Sequence, residues 1–218
     1  MTATGPEHSK TENLVPSLSR QATFFVTGAL AGAASLPVDA AFVSLSQGSG
    51  RLSGIRHIRS NLAPILARTG IRFFSFDHVR TYTSHFLQLP TTLCGALGGA
   101  AGGFNEVILH SLVSNRRLPP LNAALSQSGK LFFCFGTYTY LSTTYSRELP
   151  PRPFWKCWLM GATAGFVGST ITAAVEGARN GALLLAAARG SLVIGTVISV
   201  QVTSCAAGLD LWPSKSEV

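Results

Sequence analysis

Charge is scarce in this chain. Only 12% of its 218 residues are Asp, Glu, Lys or Arg, against roughly 25% in an ordinary soluble domain. Acid is scarcer than base, with 9 acidic and 17 basic residues and a net charge of +8. So few charged groups cannot cover a water-soluble globule. The apolar fraction is 46% and the mean hydropathy is +0.31. Both fit a chain whose main solvent is lipid.

Other absences narrow the function. The four cysteines, Cys94, Cys134, Cys157 and Cys205, form no CxxC pair and no Cys/His cluster, so they read as packed thiols rather than metal ligands. His8, His57, His78, His85 and His110 form no HExxH pair. No serine sits in GxSxG. Gly48-Ser49-Gly50 lacks the GxxxxGK[ST] frame of a phosphate loop and reads as a turn. No enzyme, metal or cofactor is therefore expected. The basic residues make no stripe with interleaved aromatics, which speaks against nucleic acid. Residues 1–20 lack the apolar core of a secretory signal, and Glu7 and Glu12 weigh against an Arg-rich transit peptide.

What the chain does have is glycine, 22 residues of it, mostly inside apolar stretches. A mid-helix glycine costs about 1 kcal/mol relative to alanine in water. In a membrane bundle the same glycine lets two helix backbones approach closely. Six apolar segments can be drawn, at about 22–45, 61–88, 91–114, 121–146, 154–178 and 182–208. A span of a ~30 Å hydrocarbon core needs about 20 residues. Segments 1, 3, 5 and 6 meet that length. Segment 2 is weaker and carries Arg68, Arg72 and Asp77, and segment 4 is marginal. The expected organisation is a polar tail over 1–21, a membrane domain over 22–208, and a polar tail over 209–218. Arg51, Arg56, Arg59, Arg116 and Arg117 fall in the loops after segments 1 and 3, which assigns those loops to one side.

A repeat underlies the segments. With Pro37, Ile108 and Ala174 aligned, Gly28, Gly99 and Gly165 each lie nine residues earlier. Gly32, Gly103 and Ser169 lie five residues earlier, and Phe24, Gly95 and Gly161 thirteen earlier. This register predicts three copies of a two-helix unit, at about 22–90, 91–150 and 154–208, with these small residues at helix–helix contacts. In that frame repeat 1 reads Pro37-Val38-Asp39 and repeat 3 reads Glu176-Gly177-Ala178-Arg179. Segment 2 ends in Phe76-Asp77-His78-Val79-Arg80.

These motifs resemble the mitochondrial carrier family. Its odd-numbered helices carry Pro-x-[Asp/Glu]-x-x-[Lys/Arg], and its even-numbered helices carry [Phe/Tyr]-[Asp/Glu]-x-x-[Lys/Arg]. The resemblance covers about residues 22–207. Repeat 1 loses the base at Phe42, repeat 3 loses the proline at Ala174, and repeat 2 has His110 in the acidic slot and Val113 in the basic one. The loops after segments 3 and 5 are too short for the family's matrix-side helices, and repeat 1 has room only for a short one around 52–60. The chain thus resembles a shortened, degenerate carrier.

The resemblance implies an all-α membrane protein with six transmembrane helices in three two-helix repeats about a pseudo-threefold axis. It implies transport of a small anionic metabolite across the mitochondrial inner membrane, with a peroxisomal membrane as the alternative site. The partners implied are the lipid bilayer, a small-molecule solute and membrane-complex partners. Pro37 removes one helical hydrogen bond and should kink its helix, turning Asp39 toward the axis. Arg72 and Arg189 are the substrate contacts, since an arginine can fork onto carboxylate or phosphate; the alternative is that they snorkel to headgroups. Asp39, Glu176, Arg179, Asp77 and Arg80 form the gate network. No inter-repeat pair is intact under the family scheme, and Glu176 and Arg179, three apart on one helix, are expected to satisfy each other. Glu106 lies outside every family motif and faces either the centre or a polar neighbour. Two further readings stand beside transport: a carrier-derived, non-transporting scaffold or complex subunit, and a Tim17-like translocase component, which would have four spans.

Overall fold

The computed structural model describes residues 18–47, 51–114, 121–145, 153–177 and 180–208. They form six helices: α1 (Leu18–Gln47), α2 (Arg51–Phe86), α3 (Thr91–Ser114), α4 (Leu121–Tyr145), α5 (Phe154–Val175) and α6 (Asn180–Gly208). Each helix packs on its two neighbours in chain order, and α6 closes onto α1. The result is a ring. Among the described residues, three stretches are long and apolar enough to cross a membrane: Arg20–Ser44, Phe154–Val175 and Gly181–Ser204.

Two helices start earlier than the apolar pattern. α1 begins at Leu18 and takes in Arg20, which the composition assigned to the tail. α2 begins at Arg51, so the stretch around 52–60 continues into α2 rather than forming a separate short helix. At 36 residues, α2 is about 54 Å long. Neither proline ends its helix. α1 runs ten residues past Pro37, and α2 runs through Pro64. α5 ends differently. Gly177 has φ +75° and its N–H donates to the Ala174 carbonyl at 3.1 Å, a left-handed stop that glycine adopts without strain.

The close approaches fall on the aligned small residues. A Cβ added at Gly28 would meet the Thr69 carbonyl and lie 3.0 Å from Phe73 Cβ on α2. At Gly99 it would press on the Leu131 carbonyl and lie 2.8 Å from Phe135 Cβ on α4. At Gly165 it would press on the Gly190 carbonyl and lie 2.8 Å from Ile194 Cβ on α6. In each case the contact is a carbonyl and the Cβ four residues later, and backbone cannot swing away as a side chain can. Gly32 lies against Thr69, Gly103 against Gln127 and Ser169 against Gly190. Contacts that advance along one helix recede along its partner, so α1/α2, α3/α4 and α5/α6 are antiparallel.

Several Ser and Thr hydroxyls make their hydrogen bonds within their own helices. Thr27 donates to the Thr23 carbonyl at 2.7 Å, Thr172 to Gly168 at 2.8 Å, Thr196 to Leu192 at 2.8 Å and Ser199 to Gly195 at 2.8 Å. This back-bonding is the local option open to Ser and Thr in a helix. The outer faces carry large exposed apolar residues, including Val26, Leu30, Phe166, Val175 and Leu184. Inside, Phe24, Phe73, Phe76, Phe135 and Tyr138 belong to one buried cluster with Leu131, Ile194 and Ile198.

Candidate functional site

The ring encloses a cavity of about 340 Å³, in the roughly 300–1,000 Å³ range of small-molecule sites. It is lined by Ser35 and Asp39 of α1, Arg68 and Arg72 of α2, Glu106 of α3, Gln127 and Lys130 of α4, and Arg189 of α6. Aliphatic residues complete it, among them Ile65, Leu131, Val193, Ile194 and Val197. Among the described residues, four cations therefore face two acids.

The glycine contacts explain why the cations converge. Thr69, Leu131 and Gly190 supply the carbonyls that meet Gly28, Gly99 and Gly165. The residue before each of them is basic: Arg68, Lys130 and Arg189. One close-packed register thus places one cation from each even-numbered helix at a matching height.

Two of the four cations are held by carboxylates. Arg72 Nε and Nη2 both donate to Glu106 Oε2, at 2.8 and 2.6 Å. Gln127 Nε2 donates to the same oxygen at 3.3 Å. One carboxylate oxygen therefore joins α2, α3 and α4. The pair is sheltered, with the Arg72 and Glu106 side chains 11% and 9% exposed. Arg189 Nε donates to Asp39 Oδ1 at 2.8 Å, joining α6 to α1. This pair lies near the rim, where the Arg189 side chain is 51% exposed. Both pairs link different two-helix units, although neither is one of the pairs that the family scheme would make.

The acid of the second unit stands outside the motif register. In the repeat frame it belongs at His110, but Glu106 stands four residues earlier. Four residues is one helical turn and keeps the same face. Its partner Arg72 is one turn further along α2 than Arg68. In an antiparallel pair these two offsets move the contact together, deeper into the ring.

Arg68 and Lys130 are the other two cations. Neither has a carboxylate within ion-pair distance among the described residues. Arg68 Nε is shut off from solvent without a hydrogen-bond partner. Lys130 lines the cavity from α4 and Arg68 from α2, and α3 lies between those two helices in the ring.

The remaining expected residues lie elsewhere. Asp77 is almost fully buried, accepts from Arg20 Nη2 at 2.9 Å and has Arg80 beside it. The Arg20 guanidinium also sits 5.9 Å from the centre of the Phe24 ring. This group ties α1 to α2 and does not line the cavity. Glu176 follows the last turn of α5 and accepts a hydrogen bond from Ser126 of α4. Arg179 lies outside the described residues. Arg72 and Arg189 line the cavity but are engaged by Glu106 and Asp39. The unengaged cations are Arg68 and Lys130, which motif reasoning did not single out. Among the described residues no three His, Cys, Asp or Glu side chains gather to hold a metal.

The chain matches no protein-family model, no curated protein and no solved structure.

Proposed function

We propose that the chain is a mitochondrial carrier-like membrane protein that binds a small anionic solute at the centre of its ring and moves it across the inner membrane. In this reading all six helices are transmembrane and form three repeats about a pseudo-threefold axis. The matched carbonyl contacts of Gly28, Gly99 and Gly165 support the axis. The exposed apolar outer faces support a lipid surround, since a soluble monomer rarely shows so much contiguous apolar surface. A ring of six helices favours this reading over a four-span translocase component.

The observation that carries the proposal is the pair of half-buried cations, Arg68 and Lys130, which line a half-open cavity with no carboxylate within ion-pair distance among the described residues. An isolated charge taken out of water costs several kcal/mol. Ionisable groups at membrane depth mark substrate pathways for that reason. An anionic solute offsets the cost when it binds. The test is an uptake screen in proteoliposomes against nucleotides, keto acids and amino acids. Saturable uptake of an anion, abolished by Lys130→Gln in a folded protein, is the expected result.

A second reading, a carrier-derived scaffold, draws on the short connections. Only residues 115–120 separate α3 from α4, and only 176–179 separate α5 from α6. Neither is long enough for the amphipathic matrix-side helix found in carriers. Folded protein that moves no solute in the screen would select the scaffold.

A further inference from the structure

We infer that the cavity is built for a short aliphatic dicarboxylate, held with one carboxylate on Arg68 of α2 and the other on Lys130 of α4. This deepens the anion-carrier reading and rests on it.

Charge sets the first constraint. Asp39 and Glu106 neutralise Arg189 and Arg72, so the lining keeps two positive charges. A dianion balances them. A monoanion leaves one half-buried cation without a carboxylate, and a trianion brings a charge that neither of these cations meets. Position sets the second constraint. Arg68 stands on α2 and Lys130 on α4, two helices that do not pack on each other and are separated in the ring by α3. Two separate cationic points suit two linked anionic groups better than one compact phosphate. The guanidinium can take a carboxylate through two parallel N–H groups, while the lysine acts as a point charge on a flexible stem.

The lining sets the third constraint. Among the described residues, no Phe, Tyr, Trp or His side chain lines the cavity. A nucleobase would have no ring to stack on, although stacking is a main source of affinity for bases. The surfaces between the charged points belong to Leu131, Val193, Ile194 and Val197, which match a short hydrocarbon chain. A volume of about 340 Å³ admits such a molecule.

The test is thermal unfolding of the full-length protein in detergent at constant ionic strength. The probes are malonate, succinate, glutarate and adipate, with acetate, butyrate, inorganic phosphate and adenosine monophosphate as comparators. One dicarboxylate is expected to raise the midpoint saturably, with a dissociation constant at least roughly tenfold below that of the monocarboxylates, as one more charge-assisted contact implies. Arg68→Gln and Lys130→Gln should each weaken that dicarboxylate by about tenfold and erase its advantage over butyrate. Each variant removes an uncompensated cation, so its ligand-free midpoint should equal or exceed that of the wild type. The wild-type probe series decides the matter alone if a variant does not fold. Better protection by phosphate, adenosine monophosphate or a monocarboxylate would overturn the dicarboxylate assignment and keep an anion site. Variants that fold yet keep the full preference would also overturn it. No protection by any anion would overturn both this assignment and the anion-carrier reading.

Discussion

Where α1, α3 and α5 begin, Phe24, Phe73, Phe76, Phe135 and Tyr138 fill the space between helices, and Arg20 and Asp77 meet each other. Where the same helices end, Asp39, Glu106, Arg68, Arg72, Lys130 and Arg189 surround open volume. One ring therefore has an apolar, filled half and a cationic, hollow half. The filled half supplies the packing that holds six helices in register. The hollow half carries charges that weaken the fold unless something binds them. A binding site is the economical explanation of that asymmetry, because neither the register nor the packing requires cations at Arg68 and Lys130.

The largest predicted effects test the two halves with one substitution each. Glu106→Ala leaves Arg72 sheltered and unpaired. It should cost about 3–5 kcal/mol in thermal or denaturant unfolding. Replacing Arg72 and Glu106 together by Met and Leu should recover most of that loss, since an apolar pair of similar volume is often neutral. In the filled half, Phe76→Ala removes a ring packed 4.5 Å from the Phe135 ring centre. It should cost about 3 kcal/mol through the void left behind. An Asp39→Asn change should stay within about 1 kcal/mol, because Arg189 is half in solvent. If Asp39→Asn costs as much as Glu106→Ala, the rim and the interior of the hollow half are not distinct.

Glycine substitutions sharpen the contrast further. Gly99→Ala presses a methyl group onto the Leu131 carbonyl and should cost about 1–3 kcal/mol by overpacking. Gly129 on α4 has nothing within 4 Å of an added Cβ. Gly129→Ala should stabilise by up to about 1 kcal/mol through helix propensity alone. Unfolding midpoints of the two variants, measured side by side, check whether packing or composition explains the glycine content.

The apolar segments made six helices legible, and the glycine spacing placed Gly28, Gly99 and Gly165 in one frame. The ends were harder to read. Arg20 looks like tail because it is charged, yet it lies against Phe24 and Asp77 as part of α1. Leu52, Ile55 and Ile58 recur at helical spacing, but the polar run Arg59-Ser60-Asn61 sets them apart from the apolar segment, so they read as a short separate helix rather than as the first turns of α2. The candidate site was half legible. Asp39, Arg72 and Arg189 could be named from motif positions. Arg68 and Lys130 could not, because the glycine ladder marks only odd-numbered helices. The register of an even-numbered helix appears only once its carbonyls are seen against those glycines. Glu106 was visible but had no assigned partner, since a one-turn shift from His110 preserves the face while breaking the motif.

The central claim is that Arg68 and Lys130 receive an anion that the protein moves. Counterflow in proteoliposomes tests it most directly, comparing the wild type with an Arg68→Gln/Lys130→Gln double variant of equal or higher unfolding midpoint. The account predicts saturable accumulation of a labelled dicarboxylate by the wild type, reduced at least about tenfold in the double variant. Equal accumulation by both proteins, or none by a folded wild type, would contradict it.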